Sequence, residues 1–245
     1  MKGVILAGGL GTRLYPLTKV TNKHLLPVFD RPMIYWPLAT MVSSGITDIL
    51  IVCGGNSAGE FLRLLGNGKD FGLKHINYTY QEGEGGIADA LSLADHFAAG
   101  EPILVMLGDN ILEGGIKAAV DEFRADPTGA KIFLTEVEHP EWYGVVELEG
   151  DRVTRIVEKP REPKSNLIAI GAYLYDNTVF DFIRQIGPSA RGELEITDVN
   201  NRYIQRGQMR YSRVAGWWAD AGESIEMYLK ANVMAARAGG VTLAP

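Results

Sequence analysis

Residues 1–27 read MKGVILAGGLGTRLYPLTKVTNKHLLP, and the fold turns on how this stretch is understood. The apolar run Val4-Ile5-Leu6-Ala7 has the length and composition of a buried strand, and it stops at Gly8-Gly9-Leu10-Gly11. Glycines at 8, 9 and 11 let backbone N–H groups converge and leave no Cβ in an anion's path, as a phosphate-cradling loop requires. Arg13 and Lys23 add full positive charges behind it. Alone, the glycines read as a tight surface turn; the two cations shift the balance toward phosphate. A Walker loop is excluded because Gly11 is followed by Thr12-Arg13. A dinucleotide fingerprint is incomplete: starting at Gly9, Leu14 stands where the third glycine belongs, and Pro16 falls where that fold begins its helix, although Asp30 lies near the spacing of the ribose-binding acid.

Working outward, the 245 residues are 46% hydrophobic and 22% charged, the balance of an ordinary globular protein with a sizeable core. No run is long or apolar enough to span a membrane, and the first residues lead into a core strand rather than a cleavable signal, so the cytoplasm is expected and no membrane partner is. The single cysteine, Cys53, excludes an internal disulfide and reads as core. A net charge of −6 argues against a nucleic-acid surface, so cations for phosphate must be concentrated locally. The histidines, His24, His75, His96 and His139, have no ligand spacing and receive no chemistry.

Strand-like and helix-like runs alternate: helix 32–44 (with Pro37 able to kink it), strand 48–53, helix 57–65, edge strand 74–81, helix 87–97, strand 102–107, then a helix through residue 123. This βαβα order predicts an α/β fold, a mostly parallel mixed sheet flanked by helices, with ligands bound beyond the strands' carboxyl ends. From residue 131 strands dominate, at 131–138, 142–159 with a turn at Glu149-Gly150-Asp151, and 167–175. They predict a strand-rich lobe packed on the first sheet. Helices are expected at 178–186, 193–206 and 222–237. The chain divides into parts at about 1–130, 131–220 and 221–245 within one domain.

Four constellations fall near strand ends. Asp109, in Leu107-Gly108-Asp109-Asn110, and Asp220, in Trp217-Trp218-Ala219-Asp220, each read alone as a turn or helix cap. As a pair with phosphate between them they suit Mg²⁺, which takes few protein ligands and completes its octahedron with phosphate and water oxygens. Gln81 carries an amide that can donate and accept at once, matching the imide edge of thymine or uracil; otherwise it is a solvated loop residue. Glu158-Lys159-Pro160 is either an exposed pair before a turn or a sugar-phosphate contact.

Taken together these elements resemble the sugar-1-phosphate nucleotidyltransferase family, whose members open with GGxGTRLxPLT followed by a Lys and LLP, here Gly8 to Thr18 and Lys23-His24-Leu25-Leu26-Pro27. The resemblance implies a Rossmann-like nucleotidyltransferase fold whose strand-rich lobe binds sugar. It assigns the nucleotide to Gly8, Gly9, Gly11, Thr12, Arg13, Lys23, Gln81 and Gly86, and the metal, Mg²⁺, to Asp109 and Asp220. Asn110, Gly144, Glu158, Lys159 and Tyr173 fall at sugar-phosphate positions, and Arg191 with 193–200 at an element of mixed role. The sequence departs at Gly83 and Glu84, where the family commonly carries proline. NKHLLPVFDRPMIYWP points to the branch that joins dTTP and glucose 1-phosphate.

The implied reaction is in-line attack of a sugar 1-phosphate on the α-phosphorus, with Arg13, Lys23, Lys159 and Asp109 as catalytic groups. UTP in place of dTTP, or a non-catalytic sugar-nucleotide sensor, are the other readings. Longer members carry extra C-terminal helices with tetramer contacts and a regulatory site; this chain stops at Pro245, so neither the tetramer nor the regulatory site is carried over, and a homo-oligomer is left open.

Overall fold

The computed structural model describes residues 1–54 and 57–241, and residues 242–245 of the expected C-terminal part lie outside the described residues. The first half contains β1 (Lys2–Ala7), β2 (Pro27–Val28), β3 (Arg31–Pro32), α1 (Tyr35–Ser43), β4 (Asp48–Gly54), α2 (Ala58–Leu65), β5 (His75–Gln81), α3 (Ile87–Ser92), α4 (Asp95–Ala98), β6 (Ile103–Leu107), β7 (Asn110–Leu112) and α5 (Lys117–Ala125). The second contains β8 (Ala130–Glu136), β9 (Gly144–Glu149), β10 (Arg152–Glu158), β11 (Leu167–Tyr175), α6 (Thr178–Ile183), α7 (Ile196–Gln205), β12 (Met209–Arg213), β13 (Trp218–Asp220) and α8 (Ile225–Ala238).

The α/β expectation holds. β5, β4, β1 and β6 run parallel and adjacent, with Val4 level with Leu50 on one side and Val105 on the other. Along β1, Val4 and Leu6 enter a core shared with α3, α4, α6 and α7, while Ile5 and Ala7 enter one shared with α1, α2 and α5. A strand buried on both faces reads as a continuous apolar run, which is why Val4 to Ala7 was conspicuous. A smaller core, including Met33, Ile111, Ala219 and Ala231, seats α8 over β7 and β13.

The second half departs from expectation. Its strands do not pack on the first sheet as another layer; β11 pairs antiparallel with β6, and β8, β9, β10 and β12 extend the same nine-stranded sheet. The hairpin at 149–151 joins β9 and β10 as expected. Proline-bearing residue 32 belongs to β3, so α1 starts at Tyr35; Pro37 is then its third residue, where the missing N–H has no helical partner to lose and no kink is needed. The helix expected over 87–97 is two, α3 and α4, and Ser92 Oγ donates to Asp89 O at 2.6 Å at the break. β7 precedes α5 where only a helix was expected, and it pairs with β13. The C-terminal helix begins at Ile225, capped by Ser224 Oγ accepting from Met227 N at 3.1 Å, rather than at residue 222. No helix among the described residues is long and apolar enough to cross a membrane.

Candidate active site

The carboxyl ends of β1, β4, β5 and β6 form one rim, and the cleft above it is about 410 Å³. Gly8, Gly9, Thr12, Arg13, Lys23, Gln81, Gly86, Asp109 and Asn110 all line this cleft, with Gly144, Glu158, Lys159, Tyr173 and Asp220 from the later strands. Gly11 lies just behind, where Thr18 Oγ1 donates to its carbonyl at 2.7 Å. Gly9 and Gly11 have φ of 85° and 65°, so the glycines meet a backbone requirement. Gly54 seals the loop from behind: a Cβ there would stand 3.0 Å from Gly8 Cα.

Asp109 and Asp220 converge although 111 positions separate them, because Asp220 pairs in register with Asn110 and Ala221 N donates to Asp109 O at 2.9 Å. Neither caps a helix. Lys23 Nζ donates to Asp109 Oδ2 at 2.5 Å. Burial alone would raise the Asp109 carboxyl, but the Lys23 ammonium outweighs it and holds Asp109 well below the usual carboxylate range. Asp220 has no such partner, and burial followed by repulsion from Asp109 pushes it up to about 7. Lys23 in turn is raised, since the two carboxylates overcome the opposing effect of burial. Gly222 keeps space beside the pair: a Cβ there would lie 2.3 Å from Asp109 Oδ2 and 2.8 Å from Lys23 Nζ. Two adjacent acids, Asp109 buried and Asp220 half-buried, share one lysine. No group of three or more potential metal-ligating side chains gathers among the described residues, so a cation here would need ligands from phosphate and water.

Arg13 is paired with Glu223, which lies 210 positions away. Leu10 N, a donor of the glycine loop, gives a 3.0 Å bond to Glu84 Oε1. Asn110 is 1% exposed, and its Oδ1 accepts from Gly171 N at 2.9 Å and Trp218 Nε1 at 2.8 Å while Nδ2 donates to Asp109 Oδ1 at 3.1 Å. Gln81 likewise spends its donors inside the protein, at 2.7 Å to Asp89 Oδ2 and 3.3 Å to Gly86 O; the expected dual donor and acceptor is reduced to an acceptor. Gly86, at φ 97°, lies so close to the loop segment before α7 that a Cβ would meet Leu194 O at 2.6 Å.

On the far wall, Glu158 accepts from Thr197 Oγ1 at 2.5 Å, and its carboxyl is raised by burial despite that bond. Lys159 follows with φ 41°, a left-handed conformation uncommon for a side-chain-bearing residue. Arg191 is clamped by Glu195 through two bonds of 3.0 Å. Tyr173 is 4% exposed, and burial pushes its hydroxyl well above the ordinary range.

Sequence reasoning missed two site residues. His24, denied a role, is buried in the cleft wall, its Nδ1 donates to Asn22 Oδ1 at 2.7 Å, and it is lowered to about 3 by burial and then by Lys23, which keeps it neutral. Glu223 carried no signal, since nothing local links it to Arg13.

The family model for nucleotidyl transferases matches residues 2–237. A glucose-1-phosphate thymidylyltransferase from Neisseria meningitidis serogroup A / serotype 4A is 43% identical over 236 residues, covering 95% of this chain and 82% of that protein. A crystal structure of a candidate glucose-1-phosphate thymidylyltransferase from Bacillus anthracis, in complex with a sucrose, superposes with a TM-score of 0.92 at 46% identity, covering 100% of this chain and 98% of that one. UDP-glucose pyrophosphorylase complexed with UDP-glucose shares the fold at a TM-score of 0.83 and 24% identity, covering 96% and 98%.

Proposed function

This chain belongs to the nucleotidyl transferase family, and from that premise we propose that it transfers a thymidylyl group from dTTP to α-D-glucose 1-phosphate, giving dTDP-glucose and pyrophosphate. The observation that carries this reading is the convergence of Asp109, Asp220, Arg13 and the glycine loop on one cleft whose other wall holds Glu158 and Lys159. The relatives named as glucose-1-phosphate thymidylyltransferases support the choice of substrates.

In this reading the loop amides and Lys23 bind the triphosphate, and the base lies against Gln81 and Gly86. Lys159 holds the sugar phosphate near the α-phosphorus against their mutual repulsion, while Glu158, Gly144, Tyr173 and the strand held by Asn110 shape the sugar subsite. No covalent intermediate is needed, so the barrier falls through positioning and charge compensation. Arg13, exchanging Glu223 for phosphate, stabilises the charge that grows on departing pyrophosphate. Asp109 and Asp220 would be the two side chains that hold a Mg²⁺, with phosphate and water completing its ligands, and the ion would supply Lewis-acid polarisation of the α-phosphate. Residues 1–130 thus serve the nucleotide and 131–220 the sugar, with α8 of the C-terminal part supporting the second acid. Both substrates are phosphorylated metabolites, and the reaction is assigned to the cytoplasm.

Pyrophosphate release, measured for the common nucleoside triphosphates crossed with glucose, galactose, mannose and N-acetylglucosamine 1-phosphates, with and without Mg²⁺, tests the assignment. The fastest pair is expected to be dTTP with glucose 1-phosphate, with UTP slower by about 10- to 200-fold, the range one methyl provides. Metal-dependent release from no pair would leave a sugar-nucleotide binding protein in its place.

A further inference from the structure

The amide of Gln81 is held in one orientation. Its side chain is 5% exposed at the end of β5, and Nε2 donates to Asp89 Oδ2 at 2.7 Å and to Gly86 O at 3.3 Å. A primary amide has two N–H donors and one carbonyl acceptor, so both donors are occupied. A carboxylate offers acceptors only, hence the nitrogen rather than the oxygen must face Asp89. Oε1 points the other way, 2.7 Å from where a Cβ on Gly8 would stand. It has no partner among the described residues, yet no buried side-chain oxygen or nitrogen among them is left unsatisfied, so it opens on the cleft. Asp89 itself does not line that cleft. Its carboxylate fills space that Gly85 leaves: a Cβ at 85 would lie 2.4 Å from Oδ2.

We propose that Asp89 is a positioning residue for nucleotide selection: by keeping the Gln81 nitrogen turned inward it presents Oε1 alone to the base. A base with a ring N–H at that point, the imide of thymine or uracil, pairs with it. Cytosine carries a ring-nitrogen acceptor at the same place, and two facing acceptors would both go unpaired. The inference rests on the reading of Gln81 as base-facing given above.

Asp89→Asn preserves shape and adds a donor, which frees the Gln81 amide to turn over. Calorimetric titration of the full chain with dTTP, UTP and dCTP in Mg²⁺ buffer, without sugar, reads the effect independently of turnover. Wild type is expected to favour dTTP over dCTP by at least about tenfold and the variant to lose most of that preference, because a site built around one hydrogen bond discriminates through it. The dTTP to UTP ratio should stay unchanged, since both present the same N–H, and in kinetics the change should fall on KM rather than kcat. Asp89→Ala, expected to move the ratio the same way, serves should the Asn variant fail to fold by thermal unfolding. A folded variant with an unaltered dTTP to dCTP ratio overturns the inference, as does a wild type that binds the two equally. A wild type that discriminates but releases no pyrophosphate would sink the transferase reading instead, and the variant's binding ratio would still decide the role of Asp89.

Discussion

The two walls of the cleft hold their cations differently. On the nucleotide wall, Lys23 is already bonded to Asp109 and Arg13 to Glu223, each partner brought from a distant part of the chain. On the sugar wall, Lys159 makes no ion pair among the described residues, and its backbone sits in a left-handed conformation that costs about 1 kcal/mol. Under the proposed function the first wall would bind by exchange, its cations giving up carboxylates for phosphate. The second would bind by addition, since under the same proposal an incoming phosphate meets a lysine that need not leave a partner.

The largest effect expected from this contrast is at Asp109. Asp109→Ala removes the hydrogen-bonded partner of the Lys23 ammonium, whose side chain is 13% exposed, and leaves it only the charge of Asp220, so the fold should be destabilised toward the low end of about 3–5 kcal/mol in denaturant unfolding. Turnover should fall with it, and a variant as stable as wild type would mean that pairing does not hold the nucleotide wall together. Arg13→Ala comes next, with a loss of about 10²- to 10³-fold in kcat, the effect of removing one preorganised donor at a developing anion. Lys159→Ala should weaken sugar-phosphate binding while leaving stability within about 0.5 kcal/mol, as for other residues whose removal breaks no folded-state contact. Unfolding of Lys159→Ala as easily as Asp109→Ala would erase the distinction between the walls.

The smallest effect is in pH. The Asp220 carboxyl, pushed up to about 7 in the fold, stays protonated where an unfolded chain's aspartate, near about 3.9, has ionised. Its contribution to stability is full below the unfolded value and is lost as pH rises through about 7. A cation between Asp109 and Asp220 relieves that loss, so the rise in Tm on adding Mg²⁺ should be larger at pH 8 than at pH 6 by about 2–4 °C, the shift that ~1 kcal/mol gives a chain of this size. Asp220→Asn should abolish the difference.

Much of the nucleotide wall was legible because its signals are local. A buried strand, three glycines and two cations lie within 27 residues, and parallel strands buried on both faces leave unbroken apolar runs. β7, β13 and β12 were not foreseen: three to five residues are too short to display a period, and Asp220 read as a helix cap because α8 follows closely. The break between α3 and α4 has no Gly or Pro to announce it, only the Ser92 hydroxyl competing for a backbone carbonyl. Residue chemistry nominated Gln81 but could not say which of its atoms would be available, because that depends on Asp89 folding back from the next helix.

Asn110 joins β7 to β11 and β13 through one side chain, and this gives the acid pair a place in time. A nascent chain that has emerged only to residue 200 already carries the glycine loop, Gln81 and Asp109, yet Trp218 and Asp220 are still to come. Until that late strand docks, Asn110 lacks its indole donor and Asp109 has no second carboxylate beside it. A chain interrupted before residue 218 therefore cannot bring a second carboxylate beside Asp109.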